Sequence, residues 1–571
     1  NEIVFYFSLK DSHIIPTLFK DNTTRGVYMK KIGISILVLC LVLVFAFFEF
    51  PVQSEASSKD EHQTDFVVLS GTSTDVDTIY TEKYQKKIKA QIDRLKVTGN
   101  FSFKSPLLIK NPYGTNTTSI YMYFTTDIDS YATYTISCDG YKDYSQTLNT
   151  KSTTGVSKTH EYSLVGAIPG ETNTITLKLY TKSNQLINTL TFTYDAPELL
   201  GGDEYKTVTT TSYSEDDLQD NGLYCVLGND VTEETKKKAY MRFYDENGVI
   251  RSEMPIKSYR PHRLLFKDNA MYYSISSTSI VGVDASGYVK DFYSTGNYSL
   301  HHDYIFDTEG NFLVLATKKN DETSEDRIIS INASTKEVKE IVNLKTVFKN
   351  YYTLTQKPSS ADTLDWMHIN SLALVGNNSL IISSRETSTI IKLNTIYTNP
   401  SIDYMIGSDQ FWNSTGYESK LLTKTSDFSM QAGQHYVTYE EDNSLPKGQY
   451  YLYMFNNNYC YSSTRSDYKW QNDSNYTNAF FTMKSGTSYY YKYLVDENAR
   501  TVSLVSSIPV AYSPYVSSSQ ELHGQLIADS GMQMSWSVYN LDGTLLRTYQ
   551  TTGGKFLYRV LQYDLKDYLF Q

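Results

Sequence analysis

The chain has 571 residues, too many for one small domain and enough for two or three. Charged residues make up 20% and the formal net charge is −11, which argues against a nucleic-acid partner because no basic field exists to displace counterions. Fifty-one tyrosines against 13 prolines, in a text rich in Thr, Ser and Asn, is the palette of an all-β, polar-surfaced, exported protein.

From the N-terminus, residues 1–28 read as translated upstream sequence, with Met29 as the natural start. Met29-Lys30-Lys31, the apolar run Gly33 to Phe48 and then Ser54-Glu55-Ala56 read as a secretory signal over 29–56. A signal anchor through residues 33–50 is the alternative, since the run is near the lower length limit for a membrane span. Both place the rest of the chain outside the cytoplasm, secreted or held at the cell surface.

Residues 57–80 are polar and read as a flexible spacer, which completes, with an amphipathic helix, a segment over 57–99. In that helix Tyr84, Ile88, Ile92 and Leu95 recur at helical spacing. Over 100–198 the period changes to two. Ile175, Leu177 and Leu179 alternate with polar residues, Ser183-Asn184 turns, and Leu190, Phe192 and Tyr194 alternate again, as in a small β-sandwich. PELLGGDE at 197–204 is a linker by its Pro and Gly content.

The remainder, 205–571, repeats one pattern of strand, polar turn and strand, as in YMRFYDENGVI, RIISINASTKEVKEI and WSVYNLDGTLLRTYQ. Antiparallel units repeated at this length predict a β-propeller, and six blades fit the span. The predicted fold is therefore all-β: a signal or anchor segment, a small β-sandwich and a propeller. Cys138, Cys225 and Cys460 are far apart, form no CxxC pair and allow one disulfide at most, with the pairing open.

Within the propeller two segments align without a gap. HHDYIFDTEGNFLVLATK runs from His301 to Lys318, and HINSLALVGNNSLIISSR from His368 to Arg385. Asp303 then matches Asn370, and Asn311 matches Asn378. QHYVTYEEDNSLPKGQYYLYMF, beginning at Gln434-His435, has the same shape, and RPHRLLFKDNAMYYS around His262 is a weaker copy. Equivalent positions of successive blades face one axis, so His301, His368 and His435, with His262, are expected to converge in one funnel.

Converging histidines first suggest a metal, with Asp303 and Asp365 as added ligands. Yet HxH and HxxxH spacings are missing, and Arg385 in the same funnel would repel a cation. An arginine with several imidazoles suits an anion such as sulfate, phosphate or carboxylate, and a neutral imidazole is a competent nucleophile. Tyr436, Tyr439, Tyr453 and Trp366 could line a slot for planar groups or could be ordinary core.

DWMHINSLALVGNNSLIISSR, with LHHDYIFDTEGNFLVLATK and QAGQHYVTY, resembles the bacterial arylsulfate sulfotransferases. The likeness covers the propeller and the small domain before it. It implies an exported enzyme that needs neither PAPS nor any metal or other cofactor. Such an enzyme moves a sulfuryl group from a phenolic sulfate donor to a phenol acceptor by ping-pong transfer. By that resemblance His435 is the nucleophile, His368 and Arg385 bind the sulfuryl oxygens, and the HHD motif supplies another histidine, His301 or His302. His302, His262, Trp366 and Asn370 are candidates for contacting substrate. The resemblance also implies that a homodimer can form. Two rivals stand beside this reading: a non-catalytic propeller binding glycans or anionic ligands, and a metal-dependent lyase or hydrolase.

Overall fold

The structure, a computed structural model, describes residues 65–148, 154–202, 207–209, 222–227, 239–258, 260–552, 554–566 and 568–569. The proposed signal or anchor over 29–56 lies outside the described residues. Among those described, no helix is long and apolar enough to cross a membrane. The described residues all fall in one compact unit.

The predicted helix forms at Glu82–Thr98. Thr81 caps it by accepting a hydrogen bond from the Tyr84 amide, and Tyr84, Ile88 and Ile92 lie buried along one face. The end of the expected spacer is folded instead. Val76–Ile79 forms a helical turn with Val76 and Ile79 buried, and the Val67 amide donates to the Leu108 carbonyl at 2.8 Å. The scattered apolar residues of that polar stretch are what hold it down.

Strand Ile120–Ser137 organises the small domain. Its first part pairs with Leu107–Lys110 on one edge and Ser157–Leu164 on the other. Its last part pairs with Tyr144–Leu148 and Thr172–Thr181, and the latter with Leu186–Asp195, the hairpin read from the alternation. A register shift between Thr125 and Ser130 separates the two parts, so one long strand holds two sets of partners within a six-stranded sheet. The linker is pinned where the amides of Leu200 and Gly201 donate to the buried Glu253 carboxylate, which also pairs with Arg242. Gln85 on the helix accepts from the Val289 amide, so helix, small domain and propeller share one packed region.

Six sheets follow, antiparallel except where Thr423–Lys424 runs parallel to Thr501–Val510 at the outer edge of the fifth. Their innermost strands are Val560–Tyr563 in the first, Leu265–Lys267 in the second and Tyr298–Phe306 in the third. They are Ile369–Val375 in the fourth, His435–Glu440 in the fifth and Ser518–Leu522 in the sixth. The first sheet takes its innermost strand from the C-terminal end of the chain, paired to Leu223–Val226. The sixth takes its outermost, Thr207–Thr209, from the segment after the linker, paired to Leu545–Thr551. The two ends of the propeller sequence are thus stitched into neighbouring sheets. This is the six-bladed architecture expected from the repeats.

At the centre, the buried Asp303 carboxylate binds Arg263 through two bonds of 3.0 and 3.1 Å and Arg559 at 3.0 Å. Arg559 also donates to the carbonyls of His262 and Asn370. One carboxylate and two guanidiniums therefore tie together residues in or just before the first, second, third and fourth inner strands. Cys138, Cys225 and Cys460 are all free thiols.

Candidate active site

The candidate residues lie at one end of the inner strands, and local backbone geometry explains how they are aimed. The third, fourth and fifth inner strands each carry a bulge near their start, at Leu300/Tyr304, Ile369/Ser371 and His435/Thr438. His302, His368 and Tyr436 sit beside these bulges with φ of 54°, 46° and 53°. The left-handed region costs a non-glycine residue about 1–2 kcal/mol, and bulges re-aim side chains. The same end receives the connections from second to third strands: residues 319–326, 385–388 and 457–487. These bring Glu325, Arg385 and Asn457 into reach.

The pairing of His368 with Arg385 is direct. The Arg385 amide donates to the His368 carbonyl at 3.1 Å, so the hairpin returns both residues to one end as its pattern implied. The ungapped alignment of this hairpin with the earlier one does not carry through, however. Phe306 pairs with Phe312 across a turn of 307–311, whereas Val375 pairs with Ser379 across 376–378. The turns differ in length and the bulges differ too, so His301 is not placed as the counterpart of His368.

His302 is the residue that meets His368, their ring centroids 4.8 Å apart. Both share the Glu325 carboxylate, His302 through Nε2 and His368 through Nδ1, each at 2.9 Å. Burial pushes His302 down to about 3 despite Glu325, so the ring is neutral. With Nε2–H donating to Glu325, its Nδ1 accepts from the Tyr558 hydroxyl at 2.6 Å. His301 is buried beside it, ring centroids 5.1 Å apart, with burial lowering its basicity. His262 packs at 5.2 Å from the Tyr558 ring and 6.3 Å from His302, held neutral by burial and by Arg260 and Arg559.

His368 carries the charge. Burial opposes it, but Asp365 Oδ2 at 2.5 Å and Glu325 Oε2 at 2.9 Å both face Nδ1 and push the imidazolium up to about 10. Asp365 is itself raised by burial to about 6. Glu325 is held well below the usual carboxylate range by the neighbouring histidines, against the effect of burial. Nδ1–H is thereby committed to carboxylates, which leaves Nε2–H as the outward donor. Arg385, half-buried, makes no side-chain hydrogen bond or ion pair among the described residues, yet it is near enough to disfavour a charged His435.

His435 is 3% exposed, and its Nδ1 lies 2.8 Å from Asn457 Oδ1 and 3.0 Å from the Gly433 carbonyl. The Asn457 amide is oriented by its own network, because Nδ2 donates to the carbonyls of Ser513 and Val516. Both neighbours of Nδ1 are therefore acceptors, and Nδ1 must carry the proton. Burial first, then the positive groups nearby, holds the ring well below its ordinary basicity. The result is a neutral imidazole whose Nε2 lone pair is unprotonated.

The other candidates fall elsewhere. Trp366 is fully buried, its indole N–H donating to Asp326 at 2.8 Å and its rings against Tyr351 and Tyr352. It belongs to the core and lines no slot. Asn370 spends its side-chain amide on the Gln434 carbonyl at 2.8 Å, holding the strand that carries His435. Tyr436 lies under Arg263 and Arg559, 5.1 and 4.5 Å from its centroid. Tyr439 packs on Tyr450, and Tyr453 on Tyr490.

Among the described residues, two groups have a spacing a divalent ion could use, His301–His302–Glu325 and Glu325–Asp365–His368, with ligand atoms within 4.8 Å of one another. Both nitrogens of His302 and the Nδ1 of His368 are already engaged in hydrogen bonds, so an ion would have to displace them. Glu325, Asn457 and Tyr558 were not anticipated from the sequence. Glu325 occupies the connection that corresponds to Arg385 one sheet later, the one signal that could have pointed to it.

The fold and site thus define an all-β propeller with a neutral imidazole, an imidazolium and a guanidinium gathered at one end. The chain belongs to the arylsulfotransferase (ASST) family, whose profile it matches over residues 208–556. The arylsulfotransferase Ig-like domain matches over 107–197, which is the small β-domain. No curated protein matches the sequence significantly. Among solved structures, the chain is similar to a putative 6-phosphogluconolactonase from Bacteroides fragilis NCTC 9343. That match has 10% identity and a TM-score of 0.34, covering 77% of this chain and 99% of that one. It is also similar to a chain of a nidogen/laminin complex, with 10% identity and a TM-score of 0.32, covering 59% and 97%. Likeness that slight says nothing of function.

Proposed function

We propose that this arylsulfotransferase-family chain moves a sulfuryl group from a phenolic sulfate ester to a phenolic acceptor in two steps, through a sulfohistidine at His435. The single observation that carries the reading is the fixed tautomer of His435, a buried nucleophile with its lone pair on Nε2.

In the first step the Nε2 lone pair attacks sulfur, an N–S bond forms, and the S–O bond to the aryl group breaks with its electron pair on the departing phenolate. Arg385 and the Nε2–H of His368 offset charge on the non-bridging oxygens, as positioned donors do in phosphoryl transfer. His368, near 10, is matched to a phenol of about the same pKa. It can hand its Nε2 proton to the departing phenolate and take one back from the acceptor. In the second step the acceptor oxygen attacks sulfur and the N–S electron pair returns to Nε2. The charge on His368 rests on Asp365 and Glu325, so no nucleotide or metal is required by this balance.

The test is intact mass after incubation with 4-nitrophenyl sulfate alone. A sulfuryl adduct mapped to His435, and absent from His435→Ala, is expected. Full transfer from 4-nitrophenyl sulfate to phenol by His435→Ala would refute the assignment.

A further inference from the structure

The connection of residues 457–487 in the fifth sheet is fastened at two points beside the site. At one, the Tyr459 amide donates to the Ala432 carbonyl at 3.3 Å, three residues before His435. Packing there is close: a Cβ on Gly433, whose φ is +61°, would stand 2.8 Å from the Tyr459 carbonyl oxygen. At the other, the Glu386 carboxylate, next in sequence to Arg385 and 1% exposed, receives four bonds on one oxygen. They come from Ser462 Oγ at 2.9 Å, Ser463 Oγ at 2.9 Å, the Thr464 amide at 2.7 Å and Thr464 Oγ1 at 3.0 Å.

Between the two fastenings stand Tyr459 and Tyr461. In extended chain, residues two apart share a face, and these rings are stacked, centroids 5.9 Å apart and planes within 5°. Tyr459 is buried, while Tyr461 is 46% exposed. Phe481 and Met483 of the same connection are exposed as well. The Tyr459 hydroxyl also lies within the electrostatic reach of Arg385. An exposed aromatic ring, backed by a parallel partner and held rigidly next to both the Arg385 and the His435 segments, offers an apolar flat face for another ring.

We infer that Tyr461, backed by Tyr459, is the surface on which the aryl group of the substrate lies while its sulfuryl group is held by Arg385 and His435. Glu386 is a positioning residue: it touches no substrate, and it fixes the 462–464 segment so that the tyrosine pair keeps its distance from Arg385. The proposal rests on the sulfuryl-transfer reading for its substrate class and supplies the part of the site that recognises a ring. It also predicts a preference for extended planar phenols over small ones, since a larger ring covers more of the platform.

The experiment uses 2-naphthol as acceptor with 4-nitrophenyl sulfate as donor, and direct binding of 2-naphthol followed by its fluorescence. Tyr461→Ala is expected to raise KM for 2-naphthol about tenfold, with kcat changed far less and with the thermal midpoint of the parent, because the side chain is exposed. Tyr461→Phe keeps the ring and should restore KM. In the double variant Glu386→Ala/Tyr461→Ala the loss should be no greater than in Glu386→Ala alone, since both act through one surface. If the parent transfers no sulfuryl group yet binds 2-naphthol, and Tyr461→Ala weakens that binding, the platform stands and only the reaction reading fails. Parent-like KM and binding in Tyr461→Ala, or no binding of 2-naphthol by the parent, overturns the platform.

Discussion

The tautomer of His435 can be tested through Asn457. Its Oδ1 receives the Nδ1 proton at 2.8 Å, with the Gly433 carbonyl as a second acceptor at 3.0 Å. In Asn457→Ala the proton still has Gly433, so the cost is that of one hydrogen bond, about 1 kcal/mol, and kcat/KM should fall about five- to tenfold. The carbonyls of Ser513 and Val516 lose their donor as well, so the variant's folding is checked by its melting midpoint. Asn457→Asp gives the sharper readout. A carboxylate within hydrogen-bond range favours the imidazolium, which moves a pKa up by about 1–3 units. A protonated Nε2 has no lone pair, so the acid limb of kcat/KM must move to higher pH, with activity at alkaline pH less affected. A structural role for Asn457 would lower activity at every pH alike. A folded Asn457→Asp variant whose acid limb matches the parent would refute the assigned tautomer, and with it the role given to Nε2.

The legible part of this molecule was whatever a local pattern could carry. The alternation from 175 to 194 became a hairpin, Tyr84, Ile88 and Ile92 became a buried helical face, and the repeats became six sheets. The hairpin bracketed by His368 and Arg385 returned both to one end because turn chemistry and strand period are local. What stayed hidden depends on register. His301 and His302 are adjacent and differ only by a bulge and a left-handed φ, neither of which composition reveals. Glu325 sits in the acidic run DETSEDR, where it looks like any solvated charge, and only the packing of two sheets places it between two imidazoles. Trp366 misled for the opposite reason. Its neighbours in sequence belong to the site, but the side chain points into the core and bonds Asp326. Proximity in sequence places a backbone, and side-chain direction is settled by packing.

Two further outcomes follow from the charges that hold this site together. Asp303→Asn leaves the buried guanidinium of Arg559 and the half-buried one of Arg263 without their counter-charge, at a cost of about 3–5 kcal/mol in urea unfolding; a variant as stable as the parent would show the central pin to be dispensable. Stability should also peak near neutral pH, because two kinds of histidine pull in opposite directions. His160 and His302 are depressed by burial to about 4 and about 3, below the unfolded value of 6.5. The unfolded chain takes up protons that these sites refuse, so their contribution is present above 6.5 and is lost as pH falls toward 4 and 3. At 1.36 kcal/mol per unit, His160 alone accounts for about 3 kcal/mol by pH 4. His368 is raised by Asp365 and Glu325 to about 10, so its contribution is present below 6.5 and is lost as pH rises through 10. Asp365, raised by burial to about 6, offsets part of that on the neutral side. The thermal midpoint measured from pH 4 to pH 10 should therefore fall in both directions. A midpoint unchanged between pH 6.5 and 4 would mean that the buried imidazoles accept protons in place, and the neutral nucleophile at His435 would lose its physical basis.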